Sequence, residues 1–242
     1  RPALVIFDCD GVLVDSEAIG SRVLAEILRG HGVACDAASV HRRFVGRNLP
    51  SIIPILAAED GWIAPADFPT QVRAATLAAL NAEGVQPIPG IVTALDAIAA
   101  AGLATCVASS GRFEKMRTTL GLTGLLPRFE GRLFSAHQVP AGKPAPDLFL
   151  FAARSLGVAP ADCLVVEDAP AGLQAARAAG MPAVAYAPGP AERDLLAGLG
   201  DFVLDDMARL PALLGLQPAA SRMAHPCESF SYSQMAPGSA MT

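Results

Sequence analysis

Aromatic residues are scarce in this chain: Phe, Trp and Tyr make up 5% of it, with a single Trp. Charge is sparse too, at 17% Asp, Glu, Lys and Arg, and the balance is slightly acidic, -5 at neutral pH. An acidic chain without a Lys/Arg cluster lacks the electrostatic footprint of a nucleic-acid binder. No apolar run reaches transmembrane length, and no basic-then-apolar leader is read, so no membrane partner is expected. The five cysteines, Cys9, Cys35, Cys106, Cys163 and Cys227, contain no C-x-x-C pair and are odd in number. A reducing cytoplasm is the expected compartment.

What is abundant is small and apolar. Hydrophobic residues make up 52% of the 242, and many are alanine. That suits a helix-heavy α/β protein of one large domain or two small ones. The apolar runs 3–7, 103–109, 132–135, 163–166, 183–186 and 202–204 read as strands. Segments of helical length, 91–101, 112–121, 146–157, 170–179 and 190–199, alternate with the later ones. Alternation predicts a Rossmann-like parallel sheet with helices on both faces.

Residues 16–87 break the rhythm. Ile19, Val23, Leu24, Ile27 and Leu28 recur at helical spacing, Asp15 or Ser16 can cap the first helix, and Pro50, Pro54, Pro65 and Pro69 punctuate the rest. This predicts an inserted helical unit, with a core of 1–15 and 88–216 and a tail, 217–242, of no assigned role. The two linkers, Val14–Glu17 and Gln86–Gly90, make a natural hinge.

Four clusters fall at predicted strand ends, where a parallel sheet gathers ligands. The first is Asp8-Cys9-Asp10-Gly11. Two close carboxylates repel unless a cation or a shared proton holds them. A carboxylate can attack phosphorus, and a second can move protons to and from the reacting oxygens. A solvated turn is the plain alternative; a calcium loop lacks the further acids it needs. The second is Ser109-Ser110-Gly111, where a hydroxyl and free N–H groups suit a phosphoryl group, or simply cap a helix. The end of the apolar run favours Ser109 over Ser110 by one register step. The third is Gly142-Lys143-Pro144, whose lysine is either a point charge for phosphate or carboxylate, or solvated. The fourth is Glu167-Asp168, an acid pair for Mg²⁺ or for a helix cap.

Their joint order resembles the haloacid-dehalogenase-like hydrolase superfamily. Phe-Asp-Cys-Asp-Gly-Val-Leu-Val-Asp-Ser-Glu (7–17) is similar to its branch of sugar phosphatases and β-phosphoglucomutases with a helical cap. The resemblance covers about residues 3–205. It implies that Asp8 is nucleophile and metal ligand, and that Asp10 is the acid/base with its carbonyl on the metal. Ser109 and the Ser110 N–H would bind the phosphoryl group, with Lys143 beside them. Asp168 would ligate Mg²⁺ directly, and Glu167 would orient a metal-bound water. Residues 16–87 would be the cap, and Arg47 in it would reach a substrate carboxylate or second phosphate, or stay solvated.

Asp10 argues against the family's dehalogenases and phosphonatases, which lack an acid at that place. The expectation is therefore a cytoplasmic, Mg²⁺-dependent phosphatase of a small phosphorylated metabolite, a sugar or sugar-acid phosphate. Oligomeric state is not readable from the sequence, and monomer is taken only as the default. A phosphosugar mutase is the first alternative; Arg47 is out of register for it. A non-catalytic module on the same fold is the second. His31, His41 and His137 read as surface or loop residues, and Trp62 as packing within the insert.

Overall fold

The computed structural model describes residues 1–44, 47 and 49–216; the expected tail, 217–242, lies outside the described residues, as do Val45, Gly46 and Asn48. In chain order the elements are β1 (Leu4–Phe7), β2 (Val14–Asp15), α1 (Glu17–Gly30), α2 (Ala37–Phe44), α3 (Leu49–Asp60), α4 (Phe68–Glu83), β3 (Gln86–Pro87), α5 (Ile91–Ala100), β4 (Ala104–Ser109), α6 (Phe113–Leu122), β5 (Leu133–Ser135), α7 (Asp147–Ser155), β6 (Cys163–Glu167), α8 (Pro170–Ala178), β7 (Ala183–Tyr186), α9 (Pro190–Leu195), β8 (Phe202–Leu204) and α10 (Leu210–Leu213).

Six strands form one sheet in the order β5-β4-β1-β6-β7-β8, and every pair in it is parallel. A parallel sheet covered on both faces needs strands apolar on both sides. β1 meets this by alternation. Val5 and Phe7 face a cluster with Ile91, Leu95 and Ile98 of α5 and Met116 and Leu120 of α6. Leu4 and Ile6 face the opposite cluster, with Leu148 and Phe149 of α7 and Leu173 and Ala176 of α8. Cys9, Cys106 and Cys163 are free and buried in these layers, where a thiol behaves as a small apolar group. The Rossmann-like α/β architecture is thus present.

The strand order decides where a ligand can go. From β1 the chain builds outward through β4 and β5, then crosses back to lay β6, β7 and β8 on the other side. This switch of direction leaves a crevice beyond the carboxyl ends of β1 and β6.

Between β2 and β3, helices α1–α4 gather round their own apolar cluster, including Leu24, Leu28, Phe44, Leu56, Phe68 and Val72. Trp62 packs here, edge-on to Phe68 at 4.8 Å between ring centroids and tilted against His31. Pro54 does not end α3 as a proline break would suggest; it lies inside the helix. It forfeits one backbone bond, while Ile52 and Leu56 on either side of it bury in the cluster. β2 and β3 pair antiparallel, Val14 with Pro87 and Asp15 with Gln86, so the chain's way in and way out of these helices is one short ribbon. No helix among the described residues is long and apolar enough to cross a membrane.

Candidate active site

The crevice is where the four clusters meet. Asp8 continues the ladder past β1, its N–H donating to Val166 O at 3.0 Å. The chain then turns tightly: Leu13 N–H donates to Cys9 O, and Gly11 N–H to Val14 O, both at 2.9 Å. Gly11 has φ +77°, and a Cβ there would come 1.9 Å from Asp168 Oδ2. A side chain at that position is excluded by both backbone and space.

Lys143, on the loop before α7, reaches into this turn. Its Nζ donates to Asp8 Oδ1 at 2.6 Å and to Glu167 Oε1 at 2.5 Å. The lysine side chain is 3% exposed. Burial alone would lower its pKa, but Asp8 and then Glu167 outweigh it and hold the ammonium above its ordinary range. Glu167 Oε2 accepts the N–H groups of Asp168 and Ala169, each at 2.9 Å. The glutamate fits because residue 172 on α8 is glycine: a Cβ there would lie 1.8 Å from Glu167 Oε1.

Asp8, Glu167 and Asp168 each offer a carboxylate oxygen, and these atoms lie within 4.8 Å of one another. Burial, reinforced by Glu167, pushes Asp8 up to about 7 despite Lys143. Burial, with Glu167, Glu17 and Asp8, pushes Asp168 well above the usual carboxylate range. Among the described residues no Lys or Arg forms an ion pair with Asp168; Lys143 is shared by the other two acids. Three clustered carboxylates against one ammonium are under-compensated. Hard oxygen donors with that deficit fit a divalent cation such as Mg²⁺ or Ca²⁺. An acidic group able to hold a metal is therefore present.

Ser109 ends β4, 2% exposed, and its Oγ accepts the Gly111 N–H at 3.0 Å. Ser110 lines the same cavity. Asp10 lies alongside. Its Oδ1 accepts from Ser16 Oγ and from Lys115 Nζ, the latter at 2.9 Å. Burial would raise its pKa, but Lys115 and Ser16 outweigh it and keep Asp10 below the ordinary value. The two aspartates of one turn thus differ: Asp8 is driven toward its neutral form and Asp10 toward its anion.

A cavity of about 390 Å³ opens over these groups and is walled on its far side by α1–α4. Arg47, Arg73 and Arg112 line it, and none of them forms an ion pair among the described residues. His137 also lines it; burial and Arg112 lower its pKa. All eight residues named from the sequence, Asp8, Asp10, Arg47, Ser109, Ser110, Lys143, Glu167 and Asp168, therefore face one space. Sequence reasoning missed Lys115 and Ser135, and gave Ser16 only as a helix cap; its side chain makes no cap bond and donates to Asp10 instead. Ser135 Oγ donates to Gly111 O at 2.7 Å and steadies the serine loop. A usable signal existed for Lys115: the chain has two lysines, Lys115 and Lys143.

Buried carboxylates, a lysine and hydroxyls gathered at the switch point of a parallel α/β sheet make a site suited to binding a cation and an anionic group. The chain belongs to the haloacid dehalogenase-like hydrolases, whose family model matches residues 2–180. It is 36% identical over 181 residues to 6-phosphogluconate phosphatase of Escherichia coli, covering 75% of this chain and 80% of that protein. It is 34% identical over 182 residues to hexitol phosphatase A of the same organism, covering 74% and 81%. Among solved structures, a haloacid dehalogenase family hydrolase from Deinococcus radiodurans with bound phosphate and sodium superposes with a TM-score of 0.70. That structure is 32% identical, with 90% of this chain and 98% of that chain covered. The chain is a phosphoric monoester hydrolase.

Proposed function

We propose that this protein hydrolyses the phosphate ester of a small sugar or sugar acid, with Asp8 as nucleophile and Mg²⁺ as cofactor. The observation that carries the reading is the Lys143 ammonium held between Asp8 and Glu167 at the floor of a cavity that Asp10 and Ser109 share.

The reaction follows from these groups. Ser109 Oγ, the N–H of Ser110 and Lys143 take the phosphoryl oxygens and offset their charge. Lys143 occupies Asp8 Oδ1, which leaves Oδ2 to attack phosphorus. The P–O bond to the sugar breaks as the bond to Asp8 forms, and Asp10, which must first take up a proton from solvent as the anionic substrate enters beside it, gives that proton to the departing sugar oxygen. Asp10 then takes a proton from the incoming water, which attacks phosphorus and releases inorganic phosphate and free Asp8. Asp8, Asp168, Glu167 and the Asp10 carbonyl would hold Mg²⁺; the bound ion supplies positive charge against the transferring phosphoryl group and keeps Asp8 ionised.

Helices α1–α4 act as a cap over the substrate, hinged on the β2–β3 ribbon. The guanidinium groups of Arg47, Arg73 and Arg112, which form no ion pair among the described residues, favour a substrate with a second anionic group, as in a sugar acid. The two relatives named above act on a phosphorylated sugar acid and on phosphorylated hexitols, which agrees with that size and chemistry. Their hydrolytic names favour release of phosphate over its return to a sugar.

A panel of phosphorylated sugars, sugar acids and nucleotides, assayed with Mg²⁺, tests the reading. Sugar-acid or hexitol phosphates should exceed nucleotides in kcat/KM by about tenfold or more, and chelator should abolish turnover. Interconversion of a hexose 1-phosphate in the presence of a bisphosphate primer, without net phosphate release, would overturn it in favour of a mutase.

A further inference from the structure

The chain has two lysines, and each is ion-paired with one aspartate of the Asp8-Cys9-Asp10 turn: Lys143 with Asp8, Lys115 with Asp10. The proposed reaction uses the first and leaves the second without a part. We propose that Lys115 is a positioning residue for the acid/base: it holds Asp10 Oδ1 so that Oδ2 alone faces the substrate oxygen.

The geometry of α6 supports this. Lys115 and Thr119 are four residues apart and share one helix face. Thr119 Oγ1 lies 3.9 Å from the Sγ of Cys9, which sits between the two aspartates. Met116 and Leu120, both fully buried, pack the same helix against the sheet. The helix is therefore fixed against the turn at Cys9, one residue before Asp10, and Lys115 reaches Asp10 from a rigid base. The other oxygen, Oδ2, is turned toward Gly111. A Cβ on Gly111 would sit 3.7 Å from Oδ2 and 3.3 Å from Ser109 Oγ, so both oxygens border one small hollow. A lysine there to recognise the substrate would instead be expected to lack a carboxylate partner, as Arg73 and Arg112 do among the described residues.

The inference rests on Asp10 acting as acid and base. It is tested by comparing Lys115→Met, Lys115→Arg, Asp10→Ala and the Asp10→Ala/Lys115→Met double variant with the parent. Three esters are used: p-nitrophenyl phosphate, glucitol 6-phosphate and 6-phosphogluconate. The readout is kcat/KM, which covers the steps up to departure of the alcohol. A nitrophenolate leaves without a proton, whereas a sugar alkoxide does not. Lys115→Met should lose about 100-fold on both sugar esters, the scale of one general acid, and under about threefold on the aryl ester. Lys115→Arg should recover part of the loss. In the Asp10→Ala background the lysine substitution should cost nothing more.

Equal loss on all three esters marks a merely structural lysine and overturns the inference. Loss confined to 6-phosphogluconate marks a substrate-carboxylate contact and also overturns it, as does a gain on the sugar esters. If Asp10→Ala itself shows no dependence on the leaving group, the acid/base reading fails first. If Asp10→Ala shows the dependence and Lys115→Met does not, only the role of Lys115 fails.

Discussion

Asp8 and Asp10 are two residues apart and chemically opposed because their neighbours differ. Asp8 faces Glu167 and Asp168, with one shared lysine to offset three acids. Asp10 has Lys115 and Ser16 largely to itself. The division of labour follows from that: a nucleophile whose anion awaits a cation, and a proton carrier held in place. Glycines make the arrangement possible. Gly172→Ala would drive a methyl group into Glu167, whose Oε1 lies 1.8 Å from the position a Cβ would take. We expect a stability loss of about 1–3 kcal/mol from overpacking, read by thermal or urea unfolding. Weaker Mg²⁺ binding should accompany it in a titration, because Glu167 braces both Lys143 and the backbone before α8. Unchanged Mg²⁺ affinity would show that Glu167 can retreat without disturbing the acids.

At the scale of elements, the strands that carry the site were the most legible in the sequence. β1, β4 and β6 are short apolar runs that stop at polar residues, and the stopping points are Asp8, Ser109 and Glu167 themselves. The motif order then gathered residues far apart in the chain. What stayed hidden has a physical reason in each case. β2 and β3 are two residues each, too short for any period, and exist only because they pair with one another. Pro54 reads as a break yet sits in α3, because tertiary burial of its neighbours outweighs the lost bond. Lys115 lies five residues past the serine loop with nothing local to mark it; its partner is more than a hundred positions away. The helices between β2 and β3 were legible from their apolar spacing, but Arg47 and Arg73 come to line the cavity only in three dimensions. Phe68, fully buried against Trp62 at the start of α4, anchors that unit. Phe68→Ala should destabilise it by about 3–5 kcal/mol. Hydrolysis of sugar phosphates should fall more than that of p-nitrophenyl phosphate, since a loosened wall releases the sugar while the catalytic floor stands. Equal losses on both esters would place the damage in the sheet.

Across the whole molecule, the acid cluster links stability to pH and metal. The pKa of Asp8 rises from the ordinary 3.8 to about 7 in the folded, metal-free protein. The fold therefore keeps a proton that the unfolded chain releases between those values. This contribution is full below the unfolded pKa and is lost as pH rises through about 7. Asp168, raised by the same burial and acidic neighbours, acts in the same direction. Mg²⁺ would bind the ionised carboxylates and compete with their protons. The rise in Tm on adding Mg²⁺ should thus be larger at a pH of about 7.5 than at about 5. Equal rises at both would mean that the ion does not sit on these acids.

Everything proposed for this site turns on covalent attack by Asp8, which a trapped intermediate would reveal. The enzyme is mixed with Mg²⁺ and p-nitrophenyl phosphate, quenched in acid within a turnover, digested and weighed by mass spectrometry. The peptide that contains Asp8 should carry the added mass of one phosphoryl group, and the same peptide of Asp8→Asn protein, which should also lose turnover while keeping its fold, should not. A phosphoryl group on any other residue, or undiminished hydrolysis by Asp8→Asn, would contradict that attack.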